Sequence, residues 1–261
     1  MSPPSDPPLA YLDHDFIESD EARPLRILAE YLQPMRAFHH QRVQDTIVFF
    51  GSARTTEDGP HARYYAAARE LARRVTEWSK GLASHAHRYL VCTGGGGGIM
   101  EAANRGASEA GGRTIGLNIG LPHEQRPNRW ITRELLFEFH YFFMRKLWFA
   151  HLARAIVAFP GGFGTLDELF ELLTLTQTCK LERPIVILLY GSEYWNEIVD
   201  FEALARHGMI AAEDLALFHV TDTVDQALEL LQRGATAATE PVTPAFARSC
   251  TGERPRPGSR R

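Results

Sequence analysis

Residues 155–168 read AIVAFPGGFGTLDE, and this stretch decides the fold. An apolar run of strand length enters a turn with three glycines, and the turn leads directly into a segment that reads as a helix start. A buried strand joined through a glycine turn to a helix is typical of a parallel sheet, in which every strand needs a crossover connection.

The same alternation extends along the chain in both directions. We expect strands at 46–50, 89–92, 114–119, 135–140, 155–159, 184–190 and 219–221. We expect helices at 24–44, with an interruption at Pro34, and at 60–80, 99–110, 141–153, 166–178, 194–207 and 224–233. Short apolar strands that alternate with helices predict an α/β fold, with a parallel sheet covered by helices on both faces.

The composition is that of one ordinary globular domain. The chain has 261 residues, of which 44% are hydrophobic and 23% charged, so it is long enough to bury a core without disulfides or structural metals. We expect residues 24–234 to form this single domain. The proline- and acid-rich segment 1–23 and the arginine-rich tail 235–261 are predicted to be disordered.

Several classes of function are disfavoured by charge and hydropathy. A net charge of −4 gives no reason to expect nucleic acid as a partner, and no apolar stretch reaches the ~20 residues that span a membrane. The start, MSPPSDPPLAYLDHDF, lacks the basic and apolar regions of a signal peptide, so we expect a cytoplasmic protein. The eleven histidines form no metal-ligand spacing such as HExxH, so no metal site is predicted.

Two glycine-rich turns at predicted strand ends form the candidate ligand site, because parallel α/β sheets bind ligands beyond these ends. The first, TGGGGG at 93–98, lets the backbone approach an anion and precedes a helix whose dipole would help to hold it. It lacks the G-x-G-x-x-G dinucleotide spacing, and the chain has no Gly-Lys-Ser/Thr of a Walker A loop. A tight turn required only for helix packing would have the same sequence.

The second turn, PGGFGTLDE at 160–168, is a second candidate anion cradle. Thr165 and Glu168 have the spacing of a capping box, so Glu168 is either a helix cap or a functional carboxylate. Acidic residues in a first helical turn would repel a bound phosphate, so a phosphate site here requires a nearby cation. Arg145 or Lys146, in the aromatic segment YFFMRKLWF, could supply it; alternatively this segment is a core or subunit-interface helix.

These motifs together resemble the LOG ("lonely guy") family of cytokinin riboside 5′-monophosphate phosphoribohydrolases, over about residues 46–233. The resemblance rests on the five glycines with Ile99-Met100-Glu101, on Arg145-Lys146 and on PGGxGTxxE. It implies a Rossmann-like, doubly wound parallel sheet and a homodimer or an assembly of dimers. It also implies hydrolysis of AMP or an N6-modified AMP to the free base and ribose 5-phosphate, with neither metal nor organic cofactor.

By motif position, the resemblance implies that Arg145 and Glu168 are the catalytic pair. Glu124 is a less direct match, because the loop at 120–134 differs in length from that of the family. Together with the two glycine turns and the turn after the first strand, the predicted substrate-binding residues are Ser52, Gly95, Gly96, Gly97, Gly98, Glu124, Lys146, Gly161, Gly162, Gly164, Thr165 and Thr174.

The chemistry expected of such a site is the cleavage of a C1′–N9 bond, which builds positive charge on the ribose. A carboxylate beside C1′ stabilises that charge and activates the attacking water, as in glycosidases. Arg145 would either counter the phosphate or polarise the departing base. The long N-terminal lead-in and the five-glycine loop depart from short plant members, so plain AMP is as good a candidate as a cytokinin nucleotide. A non-catalytic nucleotide-binding or sensing protein and a nucleotide phosphatase remain as alternatives.

Overall fold

The computed structural model describes residues 7–82, 86–120, 126–181 and 183–237, with side chains described to residue 234. In this part of the chain seven strands form one parallel sheet in the order β4-β3-β2-β1-β5-β6-β7. The strands are β1 (Thr46–Phe50), β2 (Leu90–Thr93), β3 (Thr114–Ile119), β4 (Leu136–Phe139), β5 (Ala153–Ala158), β6 (Val186–Tyr190) and β7 (His219–Thr221). The strand order reverses between β1 and β5, which is where a doubly wound sheet opens a ligand crevice.

The helices cover both faces of the sheet, as predicted. They are α1 (His14–Glu18), α2 (Arg23–His40), α3 (Ala62–Lys80), α4 (Ile99–Glu109), α5 (Phe142–Leu152), α6 (Phe163–Gln177), α7 (Ser192–Ile198), α8 (Phe201–Arg206) and α9 (Val224–Ala237). Short 3-10 helices lie at Ala10–Leu12, Arg133–Leu135 and Ala212–Leu217. Among the described residues, no helix combines the length and hydropathy needed to cross a membrane.

The core has two apolar layers, one on each side of the sheet. All five residues of β1 are buried, and they alternate between the layers: Ile47 and Phe49 pack with α3 and α4, whereas Val48 and Phe50 pack with α5 and α6. Burial on both faces explains why this strand is continuously apolar.

The predicted interruption at Pro34 is wrong, because α2 runs through this residue. Proline has no N–H, so it leaves the carbonyl of Glu30, one turn earlier, without its helical donor. The indole Nε1 of Trp148 in α5 donates to that carbonyl at 3.1 Å. The lost helical bond is therefore replaced by a tertiary one, and the helix continues.

Two further predictions need correction. The single helix expected at 194–207 is divided into α7 and α8, because the side chain of Asp200 accepts from the N–H of Ala203 and starts a new helix. Residues 1–23, predicted to be disordered, include two short helices at Ala10–Leu12 and His14–Glu18, and residues 1–6 lie outside the described residues. Arg26 of α2 holds this segment by donating to the carbonyls of Ile17 and Ser19, each at 2.6 Å. In the expected C-terminal tail, α9 continues to residue 237, and 238–261 lie outside the described residues.

Helices α3 and α4 cross at Gly106 with almost no space between them. A Cβ atom added to Gly106 would lie 1.9 Å from the carbonyl oxygen of Arg69 in α3. Only a glycine fits there without moving one helix, since the obstacle is backbone rather than a flexible side chain.

We predict that Gly106→Ala destabilises the protein although alanine is the better helix former. Separating two packed helices costs roughly 1–3 kcal/mol, which outweighs the gain of about 1 kcal/mol in helix propensity. Urea unfolding measures the difference, with Ser108→Ala in the same helix as the control, which should change stability by less than about 0.5 kcal/mol. A Gly106→Ala protein more stable than wild type would contradict the close crossing.

Candidate active site

The segment after β1 connects the two glycine turns. The N–H of Ser52 donates to the carbonyl of Pro160 at 3.0 Å, and the carbonyl of Ser52 accepts from the N–H of Ile99, the first residue of α4, at 3.1 Å. Gly98 has a φ of +64°, and a Cβ there would lie 2.2 Å from the Ser52 carbonyl oxygen. Glycine is thus required at the start of α4 both by conformation and by this contact.

A cleft of about 780 Å³ lies between these turns, at the carboxyl ends of β1 and β5. Its size is in the usual range for small-molecule sites, and its position is the switch point of the sheet. Its lining includes polar, aromatic and glycine residues from both turns and the neighbouring helices: Ser52, Arg54, His61, Gly94, Phe142, Arg145, Phe149, Gly161, Gly162, Phe163, Gly164, Thr165, Glu168 and Tyr194.

Glu168 lies at the cleft as a buried carboxylate and is not a helix cap. Helix α6 starts at Phe163 with Gly162 as its N-cap, so Thr165 is already inside the helix and makes no capping bond. The capping-box prediction is wrong because the spacing of the two residues does not fix where the helix begins. The side chain of Glu168 is 6% exposed, and its Oε1 has no hydrogen-bond partner among the described residues.

Arg145 of α5 faces Glu168 across the cleft. Its Nη2 lies 3.8 Å from Glu168 Oε1, close enough for an ion pair but too far for a hydrogen bond. The guanidinium lies 5.4 Å from the ring centroid of Phe142 and 5.7 Å from that of Phe149. These rings restrict the arginine to a narrow range of positions beside the carboxylate.

Burial shifts the protonation equilibria of this pair in opposite directions. It raises the pKa of Glu168 from its ordinary value of 4.5 to about 7, and the charges of Arg145 and Lys146 only partly oppose the shift. Burial lowers the pKa of Arg145, against the attraction of Glu168. A carboxylate whose pKa is near neutrality, in a cleft, is a candidate general base.

The orientation of α5, which carries Arg145, is set by α2. Both carboxylate oxygens of Glu30 accept from backbone N–H groups at the start of α5: His140 at 2.7 Å and Tyr141 at 3.2 Å. The carbonyl of the same residue accepts from Trp148, as described above. One turn of α2 therefore holds α5 at two points.

Lys146 lies outside the cleft, although it follows Arg145 directly. Its Nζ pairs with Asp167 at 2.7 Å and with Glu171 at 2.9 Å, on the outer side of α6. Thr174 is also outside the cleft, since its hydroxyl donates to the Phe170 carbonyl of its own helix at 2.7 Å. Both residues line a neighbouring shallow concavity instead. Because α6 starts at Phe163, its first turn has no acidic residue, and Lys146 neutralises the acidic side chains of the turns that follow.

The five-glycine turn reaches the cleft through Gly94, while the glycines after it are held by a polar network that the sequence did not predict. The side-chain amide of Asn128 donates to the carbonyls of Gly95 and Gly96, at 3.2 and 2.9 Å, and to the Oδ1 of buried Asn104 at 2.9 Å. The predicted residues Gly97 and Gly98 complete the turn into α4. Glu124 lies outside the described residues.

The start of α6 offers two hydrogen-bond donors to the cleft. Within the described residues, the N–H groups of Phe163 and Gly164 have no acceptor, whereas those of Thr165 and Leu166 donate to the Gly162 carbonyl. No atom lies within 4 Å of where a Cβ would stand on Gly162 or Gly164. Open space, free N–H groups and the positive end of the helix dipole make this an anion-binding position.

Sequence reasoning missed Tyr194, Arg54 and His61. The hydroxyl of Tyr194, on α7, donates to the carbonyl of Gly161 at 2.5 Å and fixes the second glycine turn from outside. Arg54 and His61 follow β1, and the rule that ligands bind beyond strand ends could have identified this loop. No cluster of three or more His, Cys, Asp or Glu residues suited to a metal ion is found in the described part of the chain.

Known proteins with similar sequences include several with related names. The family model described as "Possible lysine decarboxylase" matches residues 100–231, just over half of the chain. The probable cytokinin riboside 5′-monophosphate phosphoribohydrolase LOG4 of Oryza sativa subsp. japonica is 27% identical over 195 residues, which are 74% of this chain and 78% of that protein. The cytokinin riboside 5′-monophosphate phosphoribohydrolase LOG of the same organism is 30% identical over 176 residues, 66% of each chain.

Solved structures share the fold. The X-ray structure of TM1055, a target of the Northeast Structural Genomics Consortium, matches with a TM-score of 0.51 at 20% identity and covers 72% of this chain and 99% of that one. The Moco carrier protein from Chlamydomonas reinhardtii matches with a TM-score of 0.50 at 23% identity, over 74% and 98% of the two chains.

We predict that Glu168→Gln stabilises the protein above pH 7. With its pKa raised to about 7, the folded carboxyl keeps a proton that the unfolded chain releases above about 4.5, so folding loses stability as the pH rises between these values. One pKa unit corresponds to about 1.4 kcal/mol, so the neutral glutamine should raise the free energy of unfolding by ~1–3 kcal/mol above pH 7.

Urea unfolding of both proteins at about pH 4.5 and about pH 8 measures this difference, which should be small at the lower pH. Glu171→Gln, one turn further along α6 and outside the cleft, is the control. A Glu168→Gln protein less stable than wild type at about pH 8 would contradict the raised pKa, because it would show that the ionised carboxylate favours the folded state.

Proposed function

Because the chain belongs to the LOG family, whose model is described as possible lysine decarboxylase, we propose that it hydrolyses the N-glycosidic bond of a nucleoside 5′-monophosphate. The substrate is AMP or an N6-modified AMP, and the products are the free base and ribose 5-phosphate. The names of its relatives support the class of reaction. The observation that carries the proposal is the buried carboxylate of Glu168, whose Oε1 has no hydrogen-bond partner within the described residues, in a cleft beside a helix start with free N–H groups.

The arrangement accounts for the chemical step as follows. The phosphate binds the N–H groups of Phe163 and Gly164, which places the ribose towards Glu168. As the C1′–N9 bond breaks, the carboxylate stabilises the positive charge on the ribose. It also accepts a proton from the water that attacks C1′ and releases it to solvent, while the departing base takes up a proton on its nitrogen; a pKa near 7 suits this exchange. Besides the nucleotide, this reaction needs only water.

Arg145 acts at the reaction centre rather than at the phosphate. Its nearest charged group is Glu168, and the aromatic rings of Phe142 and Phe149 keep it there. From this position it favours the ionised carboxylate and donates to the departing base. Lys146, paired with Asp167 and Glu171, takes no part in the chemistry and removes negative charge from the start of α6.

We predict that the purified protein converts AMP to adenine and ribose 5-phosphate, and that Glu168→Gln lowers this rate by about 10²–10⁴ without loss of fold. Glutamine has the shape of glutamate but neither stabilises a cation nor accepts a proton. Adenine release at saturating AMP measures the rate, and Glu171→Gln, outside the cleft, should stay close to wild type.

Three outcomes would contradict this function. Release of inorganic phosphate would identify a phosphatase, and no turnover by a protein that binds AMP would identify a nucleotide-binding protein. Full activity of Glu168→Gln would show that the carboxylate is not part of the mechanism.

We also propose that the chain forms a homodimer through α2 and α5. Leucines at 25, 28 and 32 and Met35 form an exposed apolar stripe at helical spacing on α2. Leu28 shares a concavity with Leu147 of α5, whose neighbours Phe142 and Phe143 are also exposed. Apolar patches of this kind on soluble proteins mark interfaces.

For this dimer, we predict a solution mass of twice the 29.3 kDa of the chain. Leu28→Arg should shift the protein to the monomer, since a charge cannot be buried unpaired in an apolar interface. Sedimentation velocity measures both, with Arg233→Gln on α9 as the control. A stable dimer interface should hold at protein concentrations on the order of tens of micromolar. A wild-type protein that sediments as a monomer at such a concentration would contradict the proposal.

A further inference from the structure

The proposed phosphate position lacks a cation among the residues discussed so far. Arg145 is directed to Glu168, and Lys146 is bound to Asp167 and Glu171 outside the cleft. These pairs neutralise the acidic side chains nearest the start of α6, where the N–H groups of Phe163 and Gly164 have no acceptor within the described residues. A phosphate dianion at such a position is bound far more strongly when a guanidinium also donates to it.

Arg54 is the arginine placed to supply that donor. It lines the same cleft, is exposed, and its guanidinium has no hydrogen bond or ion pair within the described residues. Its position relative to α6 is fixed by Ser52. The Oγ of Ser52 accepts from the backbone N–H of Arg54 at 3.0 Å, and the N–H of Ser52 donates to Pro160, three residues before α6.

The segment at Ser52 packs closely against the turn before α6, and this contact fixes the two parts of the site relative to each other. A Cβ on Gly161 would lie 2.1 Å from Thr165 Oγ1 and 2.9 Å from the backbone N of Ser52. The loop that carries Arg54 therefore packs directly against the turn that begins α6. Arg54, Phe163 and Gly164 all line the same cleft.

We propose that Arg54 recognises the 5′-phosphate of the nucleotide and so selects nucleoside monophosphates over nucleosides. This inference rests on the function proposed above. The planar guanidinium donates two parallel hydrogen bonds to phosphate oxygens, while the start of α6 binds the same group from the other side. Arg54 binds the phosphate, whereas Glu168 and Arg145 act at the reacting C1′ carbon.

The test compares Arg54→Gln and Arg54→Lys with wild type on AMP and on adenosine. Losing a charged hydrogen-bond pair to phosphate lowers kcat/KM for AMP by roughly ten- to hundredfold. Turnover of adenosine, which has no phosphate, stays unchanged, so the preference for AMP falls by the same factor. Arg54→Lys keeps the charge but not the paired geometry, and recovers part of the loss. Both substitutions retain the backbone bond to Ser52.

The matched control is Arg233→Gln, an exposed arginine near the amino end of β6, away from the carboxyl strand ends that form the cleft. It pairs with Glu229 on α9, and the next residue, Gly234, packs against Val186 at the start of β6. This variant should not change the ratio of kcat/KM values. An Arg54→Gln protein that loses AMP and adenosine turnover equally would overturn the proposal, because the effect would then be structural.

Measurements of ligand binding test the role of Arg54 independently of the proposed reaction. Calorimetric titration of AMP, adenosine and inorganic phosphate is performed on the full-length Glu168→Gln protein, with and without Arg54→Gln. AMP affinity that depends on Arg54, in a wild-type protein that releases no adenine, would refute the hydrolase while supporting the phosphate site. Adenine release by wild type, with an unchanged AMP preference in Arg54→Gln, would refute the phosphate site alone. Failure of AMP and phosphate to bind would refute both.

Discussion

The backbone of Ser52 joins three elements at one point, and the cleft depends on that junction. Its N–H is bonded to the end of the β5 segment at Pro160, and its carbonyl is bonded to the first N–H of α4. Leaving a buried backbone group unsatisfied costs about 1–3 kcal/mol, so both bonds stabilise the junction. The two glycine turns therefore hold each other in position, and Gly98 and Gly161 are glycines because this junction leaves no room for a Cβ.

The acidic side chains of α6 near the cleft are each paired with a cation of α5. Asp167 and Glu168 lie in the second turn of α6, close to the helix start where an anion would bind, and their negative charges would repel it. The two successive cations of α5 resolve the conflict because neighbouring helical residues point in different directions. Lys146 reaches Asp167 on the outside, and Arg145 reaches Glu168 on the inside. The helix dipole remains available to a ligand, and the buried carboxylate keeps a pKa near neutrality.

Much of the fold could be predicted from the sequence, since each strand is a short apolar run and each run is followed by helical spacing. The site at the strand ends follows from the same topology. Local spacing failed where contacts between distant residues decide. The turn before α6 packs against Ser52, and Lys146 is drawn to Asp167 and Glu171 rather than to the cleft. Asn128 and Tyr194 hold glycine turns from distant parts of the chain, and no local pattern identifies such partners.

The bond between the Glu30 carbonyl and the Trp148 indole has an evolutionary consequence. Pro34 creates the unpaired carbonyl, and Trp148, more than a hundred positions later, satisfies it. Replacing the proline alone would restore the helical donor and leave the indole without an acceptor, while replacing the tryptophan alone would leave a half-buried carbonyl unsatisfied. The two positions are therefore expected to change together among related sequences. Chains that have both residues would be those in which α2 fixes α5, the helix that carries the arginine.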